Sequence, residues 1–104
     1  MAKVIYSGQV LADLERISDH VAEHSGVQAA LDVLDLIDEA LGILARHPRI
    51  GRQAEADMRE LVISQGKTGY IALYSHEREH DAVLVLAVRH QREAGFDSAD
   101  LDDE

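Results

Sequence analysis

The sequence predicts an α+β fold in the order β-α-α-β-β-β: a helical hairpin packed on a small, mainly antiparallel sheet. Three observations predict it. Apolar residues recur at helical spacing across residues 9–24, a doubled helical stripe crosses residues 27–47, and seven apolar residues run unbroken over 82–88. The first two patterns bury one face of a helix, and the third suits a strand inside a sheet.

In chain order, Lys3–Tyr6 (KVIY) is a short β-prone run ended by Ser7-Gly8. Val10, Leu11, Leu14, Ile17 and Val21 then form the apolar stripe of a first helix over 9–24. Ser25-Gly26 breaks that helix, and Ser25 with Gln28 three residues later reads as a capping box for the next. Ala30, Leu34, Ile37, Leu41 and Leu44 form one stripe of the second helix, and Val33, Leu36, Ala40 and Ile43 a second. A helix apolar around so much of its circumference must be covered on two sides, by the first helix and by the sheet. Arg46 and His47 suit its negative C-terminal end, and Pro48 forbids continuation. The reading is therefore one uninterrupted helix over 27–47, with Leu34 and Leu41 both in the core. Three strands follow at Leu61–Ile63, Tyr70–Tyr74 and Ala82–Val88, separated by the turn-rich Ser64–Gly69 and the charged Ser75–Asp81. The unbroken apolar run of the last strand implies burial on both faces.

Composition narrows the function classes. A length of 104 residues suits one domain. With 46% hydrophobic residues but only 4% aromatics and no Trp, the core must be aliphatic. The absence of Cys removes disulfides, thiolate metal sites and a Cys nucleophile, and fits a reducing cytoplasm. The opening MAKVIYSGQV lacks a signal-peptide pattern, and no apolar run approaches the ~18 residues of a membrane span. A cytoplasmic protein without a membrane partner is expected. Net charge is −10 and unevenly placed. Residues 1–47 carry −5, residues 48–96 are neutral with seven acids and seven bases, and residues 97–104 (DSADLDDE) carry −5. A domain over 1–96 followed by a solvated acidic tail at 97–104 is expected. A molecule so acidic repels nucleic acid at long range, so binding to free DNA is not expected.

Three blocks carry a resemblance. They are Leu44-Ala-Arg-His-Pro-Arg-Ile-Gly51-Arg52, then Arg59 to Tyr74 (RELVISQGKTGYIALY), then Val83 to Phe96 (VLVLAVRHQREAGF). In this order and spacing the sequence resembles the ParE/RelE superfamily, the toxins of type II toxin–antitoxin (plasmid stabilisation) systems. The resemblance runs from about Val4 to Phe96. It implies a growth-inhibiting toxin neutralised by a cognate antitoxin, and no cofactor or metal. RelE-like members are endoribonucleases that cut mRNA on the ribosome; ParE-like members poison DNA gyrase and lack the nuclease residues. The long helical hairpin is closer to the ParE side. The implied activity is inhibition of DNA gyrase by protein–protein contact. The alternatives are a ribosome-dependent, metal-independent mRNA endoribonuclease, or a non-toxic member that retains only antitoxin binding.

A metal-free ribonuclease needs a base, cationic donors and an acid around one phosphate. The matching positions offer Arg59, His90 and Arg92, with Arg89 and Lys67 nearby. Phe96 stands about where a terminal Tyr would be expected, and Phe cannot donate a proton. If Tyr74 pairs near Arg59, Arg89 lies about five residues further along the sheet, roughly 16 Å away at ~3.3 Å per residue. That is too far to share a phosphate. As a set, Arg59, Arg89, His90, Gln91, Arg92 and Phe96 read better as a contact surface for target or antitoxin. Taken singly, Arg59, Arg89 and Arg92 are equally well explained by ion pairs with Glu60, Glu93 or the acidic hairpin. His76-Glu77-Arg78-Glu79-His80 matches the HExxH zinc pattern literally, yet it connects two strands, where no helix of useful length fits. His20 and His24 read as solvated histidines. Asp32, Asp35, Asp38 and Glu39 read as a solvated helix face, the alternative being a dock for a basic antitoxin segment. Gly66 and Gly69 belong to a hairpin turn.

Overall fold

The computed structural model describes residues 1–65 and 68–91, with Ser64, Gln65 and Thr68 as backbone alone. Strand β1 spans Lys3–Tyr6, helix α1 Gly8–Ser25 and helix α2 Val27–Ile43. They are followed by β2 (Arg52–Gln53), β3 (Met58–Gln65), β4 (Thr68–Glu77), a 3-10 turn at Arg78–His80, and β5 (Ala82–His90). The sheet order is β1-β5-β4-β3-β2, with β1 parallel to β5 and every other pair antiparallel. The fold class matches the expectation, and the two-residue edge strand β2 is an addition to it.

Local chemistry explains the helix ends. Ser7, extended at φ −72 and ψ 166, accepts the Val10 N–H on its Oγ and so caps α1. The same hydroxyl donates to Leu86 O at 3.1 Å, tying the helix start to β5. The expected capping box at Ser25 does not form. Ser25 is the last residue of α1, Gly26 at φ 95 makes the break, and Gln28 donates to Asp32 within α2 instead. A φ of that sign suits glycine, so the chain turns on one residue. Helix α2 also stops earlier than expected. From Leu44 the amides bond three residues back, to Leu41, Gly42 and Ile43, so the last turn before Pro48 tightens instead of extending the helix.

The core lies between the helices and one sheet face. Val10 and Ile17 of α1, Ile37 and Leu41 of α2, and Leu44 meet Ile63, Tyr70, Ala72, Tyr74, Val83, Val85 and Val88. Two sequence expectations need correction. Leu11 is 58% exposed, because the buried face of α1 runs through Val10, Asp13 and Ile17. In the run Ala82–Val88, Ala82, Val83, Val85 and Val88 are buried, whereas Leu84, Leu86 and Ala87 are only half-buried. Strands β3 and β4 outrun their predicted limits into the two connections. The expected turn residues Gly66 and Lys67 between them lie outside the described residues, and Gly69 belongs to β4.

Candidate functional site

The predicted site residues fall into two separate groups. At one end of the sheet, β1 covers β5 only from Ala82 to Val85. Beyond it the backbone amide of Val88 would be an unpaired strand edge. Asp13, 1% exposed on α1, fills that role: its Oδ2 accepts the Val88 N–H at 3.0 Å. Its Oδ1 accepts Gln9 Nε2 at 2.8 Å and Arg89 Nη1 at 2.9 Å, with Arg16 at 3.6 Å. Arg89 is therefore an anchor between sheet and hairpin. His90 pairs with Tyr70 across the strands, their rings edge-on at 5.3 Å. Gln91 is exposed and lies over Gly69, where any Cβ would collide with its amide. Arg92, Phe96 and Lys67 lie outside the described residues.

Arg59 sits elsewhere. It pairs with Tyr74 as expected, and both reach Gly51. Gly51 donates its N–H to Tyr74 Oη at 2.9 Å, and its carbonyl accepts Arg59 Nη1 at 2.8 Å. Arg59 also donates to Arg49 O at 3.3 Å, so it holds the loop after Pro48 against the sheet. A Cβ on Gly51 would lie 2.6 Å from Glu60 O and 2.7 Å from Tyr74 Oη, both fixed atoms. Gly51→Ala is expected to cost about 2 kcal/mol through this overpacking. Urea unfolding checks it, and an unchanged midpoint would show that the loop yields freely.

The separation of Arg59 from Arg89 is smaller along the strands than expected. Arg59 stands opposite Tyr74 and Arg89 opposite Ile71, an offset of three positions on β4, not five. At ~3.3 Å per residue and two strand spacings of ~4.8 Å, their backbones stand roughly 14 Å apart. The conclusion survives: each arginine is tied to its own partner, and no described phosphate site unites them.

Between the two groups, the sheet face turned away from the helices has an apolar centre, with Glu60, Ser75 and Arg89 toward its edges. Register places Ile5, Val62, Ile71, Leu73, Leu84 and Ala87 there, with Ile5 41% and Val62 42% exposed. Arg52, at its margin, is paired with Glu60 at 3.0 Å. On the helix side, Tyr6, Leu14, Leu34 and Ile37 line a recess of about 410 Å³, rimmed by Glu15, Asp35 and Asp38. There Tyr6 donates to Asp38 at 3.1 Å; burial first, then that bond and the carboxylate charge, push its phenol up to about 12. Asp32, Asp35, Asp38 and Glu39 are exposed, in line with a solvated face.

The HExxH segment is not a zinc helix. His76 ends β4 while His80 closes a three-residue 3-10 turn, and among the described residues no three side chains gather to hold a metal. His20 and His24 are exposed, their rings 4.3 Å apart, with His24 Nδ1 at 2.9 Å from His20 O. The site residue that sequence reasoning missed is Asp13. Its one legible signal was its i+3 spacing from Val10 and i−4 spacing from Ile17.

Among the described residues no helix is long and apolar enough to cross a membrane. The fold is similar to that of a chromosomal ParDE toxin–antitoxin system from P. aeruginosa, with a TM-score of 0.72 at 22% identity over 86% of this chain and 96% of that one. It is similar also to the isolated E. coli RelE toxin, with a TM-score of 0.58 at 16% identity over 90% and 95%. In sequence the chain is 40% identical over 63 residues to Toxin RelE2 of Caulobacter vibrioides, covering 61% of this chain and 70% of the relative. Toxin RelE3 of the same organism is 38% identical over 65 residues, covering 62% and 68%. Residues 4–95 match the family model described as the ParE toxin of the type II toxin–antitoxin system parDE, and the chain belongs to that family of the ParE/RelE toxin superfamily.

Proposed function

We propose that this toxin acts by protein–protein contact in the ParE manner, with DNA gyrase as its target and a cognate antitoxin as its natural inhibitor. The apolar open face of the sheet carries this reading. A nuclease face must gather cations at a phosphate, whereas here Ile5, Val62, Ile71, Leu73 and Leu84 occupy that face. Arg52 and Arg89 are each paired with a carboxylate, and Arg59 holds the Gly51 carbonyl through Nη1. A rigid apolar face with polar margins suits association with another protein. The solved neighbours include a ParDE toxin–antitoxin system and the E. coli RelBE toxin–antitoxin complex, which supports the antitoxin. The relatives named Toxin RelE2 and Toxin RelE3 favour a second reading, ribosome-dependent mRNA cleavage through His90.

One experiment separates the two. The purified chain should inhibit gyrase supercoiling, and the exposed-face pair Ile5→Lys with Val62→Lys should weaken that inhibition at least about tenfold. His90→Ala should change it less than about threefold, and ribosome-bound message should stay intact. Cleaved message that disappears with His90→Ala, where a catalytic acid–base group is worth about 10²-fold or more, overturns the contact reading.

A further inference from the structure

A recess of about 600 Å³ lies at the end of the sheet away from Arg89 and His90. Arg49, Arg59 and Arg78 line it with His76 and His80, beside Gln53, Asp57, Glu77 and Glu79. No described carboxylate pairs with any of the three arginines, although the chain has twice as many acids as bases. Arg59 is held in place by the carbonyls of Arg49 and Gly51, both bonds made through Nη1, so the rest of its planar fork is oriented in advance. His76 is 84% buried at the side chain, and neither ring nitrogen has a hydrogen-bond partner among the described residues. The nearest acidic oxygen, Asp81 Oδ1, stands at 3.7 Å, beyond hydrogen-bond reach. Unmatched donors gathered in a concave site call for an acceptor.

We propose that this recess binds the carboxylates of an acidic peptide segment, with Arg49, Arg59 and Arg78 as the donors. Carboxylates fit better than a nucleic-acid strand. Asp57, Glu77 and Glu79 share the lining and would repel a continuous row of phosphates, whereas separate side-chain carboxylates can sit between them. The remaining acidic surface has little weight at this range, because charges beyond the ~8 Å Debye length are screened at physiological salt. The segment is this chain's own residues 97–104 (DSADLDDE), five acids in eight residues with no base, tethered to the same domain. The proposal is independent of the cellular target.

The test is fluorescence polarisation with a labelled DSADLDDE peptide, its amide counterpart NSANLNNQ, and a short oligouridine RNA. Two forms of the full chain are compared: wild type, and one carrying Asp97→Asn, Asp100→Asn, Asp102→Asn, Asp103→Asn and Glu104→Gln. The acidic peptide should bind the neutralised form at least about tenfold more tightly than the amide peptide does, weakening with added salt as ion pairs do. Arg49→Gln with Arg78→Gln, both exposed and outside the core, should cost about tenfold. Arg59 is left intact because it holds the Gly51 loop. Binding to wild type should be weaker than to the neutralised form, because the chain's own tail competes for the recess; equal binding to the two forms overturns the tail as its occupant. Failure of the acidic peptide to bind, equal affinity for the amide peptide, indifference to the arginine substitutions, or tighter binding of the RNA each overturns the proposal.

Discussion

Leu41→Asp is expected to leave the chain unfolded at room temperature. Leu41 is 0% exposed on α2 and belongs to the cluster that joins α1, α2 and the sheet. Truncating a buried Leu alone costs about 2–5 kcal/mol, and an unpaired buried carboxylate adds several more. A small domain has about 5–15 kcal/mol to lose, so the substitution consumes most of it. Far-UV circular dichroism should show lost structure, and the tyrosines should lose their fixed near-UV signal. Leu34→Asp makes the comparison informative. Sequence alone puts both leucines in the core, but Leu34 is half-buried, on the wall of the recess rimmed by Asp35 and Asp38. A carboxylate there can turn toward water, so its cost should be about 1–2 kcal/mol. Equal damage from the two substitutions would mean that the recess is closed in solution.

Asp13→Ala is the second large effect, about 2–3 kcal/mol: Asp13 is buried, but the Arg89 side chain is 39% exposed, so the loss falls below that of a fully buried ion pair. The substitution leaves the Arg89 guanidinium without its carboxylate and strips the Val88 amide of its acceptor at the uncovered stretch of β5. Gln9 loses its contact as well. The urea midpoint should fall with little change in the m-value, as for lost stability without a change of surface exposed. Hydrogen exchange at the Val88 amide should accelerate more than at Val83 or Val85, which keep β1 as their neighbour. A loss under about 1 kcal/mol would show that the edge is satisfied by water and that Arg89 is free to serve another role.

Much of the fold is legible because it rests on short-range rules. A period of 3.6 residues marks α1 and α2, Ser7-Gly8 and Gly26 sit where the chain must turn, and Pro48 blocks further helix. The family likeness was legible too, since its three ordered blocks fall on the loop after α2, on β3 and β4, and on β5 with the residues after it. The errors lie at boundaries. Ser25 and Gln28 satisfy a capping pattern locally, yet the structure uses Gly26, because a one-residue connection between two packed helices needs a positive φ that Ser does not adopt readily.

By itself, then, the sequence determined the α+β architecture, the aliphatic core stripes and the superfamily, all of which follow from periodicity and local backbone preference. Tertiary structure decided what the individual charges do. Asp13 looks like any helix acid until β1 proves too short to cover Val88. Arg59 looks like a phosphate ligand until Gly51 arrives from the loop after Pro48 to engage its Nη1. Arg89 and Arg59 share a sheet but serve opposite ends of it, while Arg49 and Arg78, 29 residues apart in sequence, line one recess. A charge is read by what lies within a few ångströms of it, and those neighbours come from strands and loops far apart in the chain, where no local pattern records them.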